Sequence, residues 1–228
     1  MKIVKTGTLL ILCVGWIFIT NYKFYPINSI GELMTFKSGL LSIPIEKNKD
    51  SRISTGKINE VNIFIDHIGI PHIFGRNERG IAFGLGYMHA KDRYFQMELM
   101  SRTVMGELSE IFGKKALVSD TFWKPYEFKS KAEEILEEYN KKSPDLYKYL
   151  LEYTNGVNTY LDESSVNDPL YKIFNITPNR WKPEYCLLIT WYMSKNLTYF
   201  DFQTEQQEII NKLSSSVKDF FFHYILKV

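Results

Sequence analysis

Hydrophobic positions follow four different rhythms along this chain. From Thr6 to Thr20 (TGTLLILCVGWIFIT) they form an unbroken uncharged run, with Lys2 and Lys5 before it and Lys23 after it. That is the charged flank and apolar middle of an export signal. The run is shorter than the ~20 residues that comfortably span a bilayer, and Thr20 to Lys23 offer no small-x-small cleavage site. Residues 1–23 are therefore expected to be an uncleaved signal or membrane anchor, with the bulk of the chain exported to the periplasm or the cell exterior. Residues 24–56 are mixed, with Pro26, Gly31, Gly39 and Pro44 ahead of a polar run from Glu46 to Ser54, and read as a linker or peripheral arm. Next, Val61, Ile63 and Ile65 alternate with Asn62, Phe64 and Asp66, the period of a strand. His67 to Gly69 make a turn, and Pro71 to Phe74 return as a second strand. The expected hairpin has Pro71 at an edge or strand start, where no ladder N–H is missed.

After Gly80 the period becomes helical. Lys131 to Lys142 is a charged amphipathic helix with Glu residues N-terminal to Lys residues. Ser143-Pro144-Asp145 is a start signal, a capping hydroxyl followed by proline at the first helical position and an acid in the first turn. Leu146, Leu150, Tyr153, Val157 and Leu161 then recur at helical spacing as one buried stripe. Asn167-Asp168-Pro169 stops that pattern, TPNRWKPE (Thr177 to Glu184) is a rigid turn, Pro183-Glu184 opens a helix through Met193, and Glu205 to Leu213 reads as one more. The fold class expected is α+β, mostly helical with an N-terminal β-hairpin.

Composition narrows the chemistry. A net charge of +2 and no Lys/Arg block leave nothing to track phosphates, so nucleic acid is not an expected partner. Cys13 and Cys186 cannot build a disulfide framework or a cysteine metal site. Gly84 and Gly86 lack the third glycine of a dinucleotide fingerprint, since His89 stands there. They are expected instead to let a helix approach another backbone closely. None of the four histidines forms an i, i+4 pair for zinc. The helix around FGLGYMHAKDRYFQMELMSR (Phe83 to Arg102) is apolar on most sides and must be covered on most sides. Charges within it survive burial only when paired or hydrogen-bonded. Asp92 with Arg93, and Glu98 with Arg102, are expected to form such a structural network and to fix the register of the helix.

Those same residues carry a resemblance. DHIGIPHIFG, followed by FGLGYMHAKDRYFQMELMSRTVMGELSEIFG, YTNGVNTYLD (Tyr153 to Asp162) and ITPNRWKPE, resembles the α-chain region of the penicillin acylase family of N-terminal nucleophile hydrolases, in order and approximate spacing from about residue 57 to 210. The resemblance implies an αββα sandwich, of which residues 57–228 would be an incomplete part. It also implies hydrolysis of a small acyl-amide substrate by a Ser at the new N-terminus of a β chain, with that residue's own amine as base. In this chain none of the 13 glycines precedes Ser or Cys, and Gly7-Thr8 lies in the anchor. The expectation is an α chain with no catalytic residue of its own, inactive alone, whose partner β chain carries the nucleophile. By the same resemblance Met193, Asn196 and Leu197 line the acyl pocket, and Glu205, with Glu208 as the alternative, ligates a structural calcium; no organic cofactor is implied. The competing expectation is a non-catalytic, membrane-anchored helical binding or scaffold module.

Overall fold

The computed structural model describes residues 2–23, 25–36, 39–42, 51–55, 61–163 and 168–197, and individually 208, 211, 212 and 217. The chain divides into two units, Met1–Ile189 and Thr190–Val228. It begins with α1 (Lys2–Asn21) and the short α2 (Ile30–Leu33), which Ser29 and Glu32 start with a reciprocal capping box. No helix among the described residues is long and apolar enough to cross a membrane. The uncharged run of α1 is shorter than the helix, because Lys2 and Lys5 occupy its first turns. The expected membrane anchor is therefore not assigned as a span.

Three strands follow, β1 (Ser51–Thr55), β2 (Val61–Ile65) and β3 (Pro71–Gly75), in one antiparallel sheet of that order. The expected β2–β3 hairpin forms, with Val61 opposite Gly75 and Ile65 opposite Pro71, and Pro71 is the first residue of an edge strand. Asp66 closes the turn by accepting from the N–H groups of Ile68 (3.0 Å) and Ile70 (2.9 Å), while Gly69 takes the positive φ of +87°. β1 is an addition to the sequence reading. It lies in the segment expected to be an arm, and SRIST has too few apolar positions to announce a strand; its pairing along β2 makes it one.

The other described elements are helical: α3 (Glu78–Met105), α4 (Ser109–Phe112), α5 (Leu117–Trp123), α6 (Phe128–Lys142), α7 (Pro144–Glu163), α8 (Pro169–Phe174) and α9 (Pro183–Leu197). Asn77 caps α3 through Gly80 N–H at 2.9 Å, and Gly106 ends it in the left-handed conformation. Val61 and Ile63 of the sheet bury against Phe83, Tyr87 and Met88 of α3. α3 then crosses α7 with the two backbones almost touching. A Cβ on Gly86 would fall 2.1 Å from the Tyr153 carbonyl oxygen, and one on Gly156 1.9 Å from that of Phe83. The close approach expected of the glycine pair is thus made by Gly86, answered by a glycine on the opposite helix. Downstream of α1, the arm is tied down: Asn28 donates to the carbonyls of Ile173 (2.9 Å) and Lys172 (2.8 Å) of α8, and Lys172 Nζ to that of Gly39 at 3.2 Å.

Candidate functional site

Within the first unit a cavity of about 570 Å³ opens between α3, α7 and the start of α9. Its walls are apolar: Leu85, Met97 and Met100 from α3, Leu150 and Tyr153 from α7, and Ile189 from α9. Here the α7 stripe departs from expectation. Val157 is fully buried, but Leu150 and Tyr153 are half-buried along the cavity, and Leu146 is 43% exposed. The polar lining is His89, Arg93 and Gln96. His89 Nδ1 lies 2.9 Å from the Tyr153 hydroxyl. Burial holds the imidazole below its ordinary pKa against a smaller opposing pull from Asp92, and burial raises the Tyr153 phenol. Both are uncharged at neutral pH. Cys186, the remaining nucleophile type in the lining, is pushed up to about 11 by burial, so its thiol stays protonated and unreactive. The cavity can bind; its walls hold no activated nucleophile.

Next to the cavity runs a buried ionic network. Arg102 Nε donates to Glu98 Oε1 at 3.0 Å and its Nη1 to Glu110 Oε2 at 2.6 Å, while the Tyr171 hydroxyl donates to Glu98 Oε2 at 2.6 Å. Glu98 and Arg102 are 4% and 7% exposed, so every partner counts. Burial works against the Arg102 charge, but the hydrogen bonds it donates to Glu110 and Glu98 outweigh it and lift its pKa above the ordinary value. The Tyr171 phenol is raised by burial first and by Glu98 second. Asp92 and Arg93 lie elsewhere. Both are exposed, sequential residues on a helix do not face each other, and Arg93 leaves helical geometry (φ −144°, ψ 21°), kinking α3. The structure brings together Glu98 and Arg102 and leaves the other pair outside that network.

Three partners were invisible to sequence reasoning. Tyr171 comes from α8, which the Asp168-Pro169 break concealed: Asp168 accepts from Leu170 N–H and so starts a helix where the reading saw only a stop. Asn158 clamps the backbone of the rigid turn, donating to the Trp181 carbonyl and accepting from Trp181 N–H, each at 2.9 Å. The carboxylate of Asp120 accepts from Leu108 N–H (2.9 Å) and Ser109 N–H (2.8 Å) at the start of α4. A polar residue inside an otherwise apolar helical pattern is the available signal for each.

Met193, Asn196 and Leu197, the expected acyl-pocket group, are exposed on the last turns of α9, in the second unit. Glu205 lies outside the described residues, and Glu208 is exposed. Of the helix expected over Glu205 to Leu213, Glu208, Asn211 and Lys212 are described and helical. Among the described residues no three acidic, His or Cys side chains gather as a metal site.

Comparison with known proteins gives a consistent result. Residues 60–223 match the family described as penicillin amidase. The chain is 30% identical over 135 residues to penicillin G acylase of Escherichia coli, covering 55% of this chain and 15% of that protein. It is 34% identical over 135 residues to acyl-homoserine lactone acylase QuiP of Pseudomonas syringae pv. tomato, covering 59% and 16%. With the penicillin acylase 2 proenzyme of Pseudomonas sp. strain SE83 it shares 29% over 152 residues, covering 67% and 18%. The chain thus spans less than a fifth of the length of these curated relatives. Among solved structures its fold matches a thermostable penicillin G acylase from Alcaligenes faecalis with a TM-score of 0.59 at 20% identity, covering 73% of this chain and 90% of that chain. At that identity the likeness concerns the fold, that of an N-terminal nucleophile hydrolase.

Proposed function

The chain belongs to the penicillin amidase family, and from that premise we propose that it is the α-chain part of an amidohydrolase that cleaves N-acyl amides, its nucleophile residing on a separate β portion. The observation that carries the reading is a contrast in coverage: 15% of the penicillin G acylase of Escherichia coli, but 90% of a solved penicillin G acylase chain. A unit of this extent therefore occurs as a chain of its own within an enzyme of that name. The name proenzyme on another relative is consistent with a precursor that is cut. Penicillin G and acyl-homoserine lactones, the molecules named in the relatives, share an acyl group on an amide nitrogen, so that bond is the proposed target.

In this reading a Ser at the N-terminus of the β portion attacks the acyl carbon. Its free α-amine accepts the hydroxyl proton, the substrate amine departs with a proton, and water then hydrolyses the ester. This chain supplies walls and bracing. Met193, Asn196 and Leu197 face the acyl group, and the Glu98–Arg102 network holds α3 in place. Glu205, or Glu208 three residues later, contributes a carboxylate to a calcium ion, which takes six to eight oxygens in all. α1 serves export, placing the enzyme beyond the cytoplasm.

The test is to assay the purified chain against phenylacetyl and fatty-acyl amides, alone and after co-expression with the β portion encoded by the same organism. The expected result is no turnover alone and turnover together. Turnover by the chain alone would refute the division of labour.

A further inference from the structure

We propose that the cavity between α3, α7 and α9 is a docking groove for a polypeptide segment that presents bulky apolar side chains and one carboxylate. This rests on the reading above, because the segment is assigned to the β portion. The first argument is the lining. It holds two methionines, two tyrosines, a tryptophan and an arginine, and no Lys, Asp or Glu. That is the composition of a protein interface core, where Tyr, Trp, Met and Arg are enriched and Lys, Glu and Asp depleted. A surface facing only water would show the opposite balance.

The second argument is electrostatic. Arg93 is the one formal charge in the lining, is exposed, and leaves helical geometry while its neighbours Tyr94 and Phe95 stay buried. His89, the other titratable base there, has its pKa lowered by partial desolvation. Within the lining the groove therefore presents a single cation beside an apolar trench, with Asp92 adjacent but outside the lining, and a lone acid flanked by aliphatic or aromatic side chains complements that cation. The third is extent. The curated relatives carry more than four-fifths of their length outside the part this chain covers, so ample family sequence exists to fill a trench whose Leu150 and Tyr153 walls stand half-open.

The test places the photocrosslinker p-benzoylphenylalanine at Met100 in the groove and, as a control, at Val118, which is 83% exposed on α5. Both chains are made in the native organism and the crosslinked peptides are identified by mass spectrometry. Support is a crosslink from Met100, and not from Val118, to a polypeptide carrying penicillin amidase sequence beyond the stretch matched here. In parallel, Leu150→Asp and Arg93→Glu should each lower the recovered complex at least tenfold, with Arg93→Lys close to wild type and all three isolated chains melting as the parent does. If the β portion co-purifies but Met100 does not reach it, this inference fails while the proposed function stands. If no β portion co-purifies, both fail. A crosslink from Met100 only to a second copy of the chain, or a groove occupied by an extracted small acyl compound, also overturns it.

Discussion

Arg102 satisfies two carboxylates while nearly shut off from water, and the arithmetic of such a residue is lopsided. Replacing a whole buried ion pair with apolar groups is often neutral, whereas deleting one partner leaves the other charge stranded. Arg102→Ala strands Glu98, whose other oxygen is already committed to the Tyr171 hydroxyl. The expected loss is about 3 to 5 kcal/mol, read as a lower urea midpoint at unchanged slope; a variant as stable as the parent would show the pair to be idle. The double change Glu98→Met with Arg102→Leu should cost clearly less than Arg102→Ala alone, which identifies the penalty as stranded charge. The two thiols give a second contrast at this scale. Cys13 is exposed, and Cys186 is held at about 11 by burial. Iodoacetamide at neutral pH should modify Cys13 in the folded protein and Cys186 only after denaturation. Prompt labelling of both would mean that the α9 start is not packed as described.

Between elements the decisive contact is the α3–α7 crossing. A Cβ on Gly156 would sit inside the van der Waals radius of the Phe83 carbonyl oxygen, a backbone atom that cannot turn aside as a side chain does. Gly156→Ala should therefore cost about 3 kcal/mol, the upper end of overpacking. Gly86→Ala, facing the Tyr153 carbonyl oxygen, should cost as much, both measured by thermal or urea melting. A change under ~0.5 kcal/mol, the usual range for surface positions, would place the helices farther apart. Much of this level was legible in the residues. Alternation at Val61, Ile63 and Ile65 marked the hairpin strand, Ser143-Pro144-Asp145 the start of α7, and Gly84 and Gly86 a close approach. The misses have physical causes. β1 owes its form to a neighbouring strand and not to its own five residues. Asp168-Pro169 begins a helix where the sequence pattern reads as a stop. The i, i+4 spacing found Glu98 and Arg102, but Asp92 and Arg93 are adjacent and so cannot share a face. The α7 stripe revealed an apolar face without saying that Leu150 and Tyr153 border an opening, because periodicity records which side is apolar and not whether anything lies against it.

For the first unit as a whole, titration should act as one cooperative event. Burial raises the phenols of Tyr94, Tyr153 and Tyr171 above the ordinary 10.0, the Tyr185 phenol to about 12 and the Cys186 thiol to about 11. Each is an acid whose proton leaves the unfolded chain first, so between the unfolded and folded values the unfolded state binds fewer protons and stability falls as pH rises. The loss begins near the ordinary thiol value of 9.0 and steepens through the phenol value of 10.0. On the acid side His89 works in the opposite sense. Its folded pKa lies below 6.5, so the unfolded state takes up the proton first, and stability falls as pH drops past that value. Urea denaturation followed from pH 5 to 11 should give a plateau between these limits. Followed ring by ring by NMR against the other eleven tyrosines, the phenolates of these four should appear together with unfolding on the alkaline side, and not as a gradual titration of the native protein. The groups belong to α3, α7, α8 and α9, so they ionise together only if those helices come apart together. Ionisation of these four phenols in a chain that stays folded at pH 10, told apart from the other eleven tyrosines, would mean that these rings already meet water and that the packing of the unit is looser than its geometry requires.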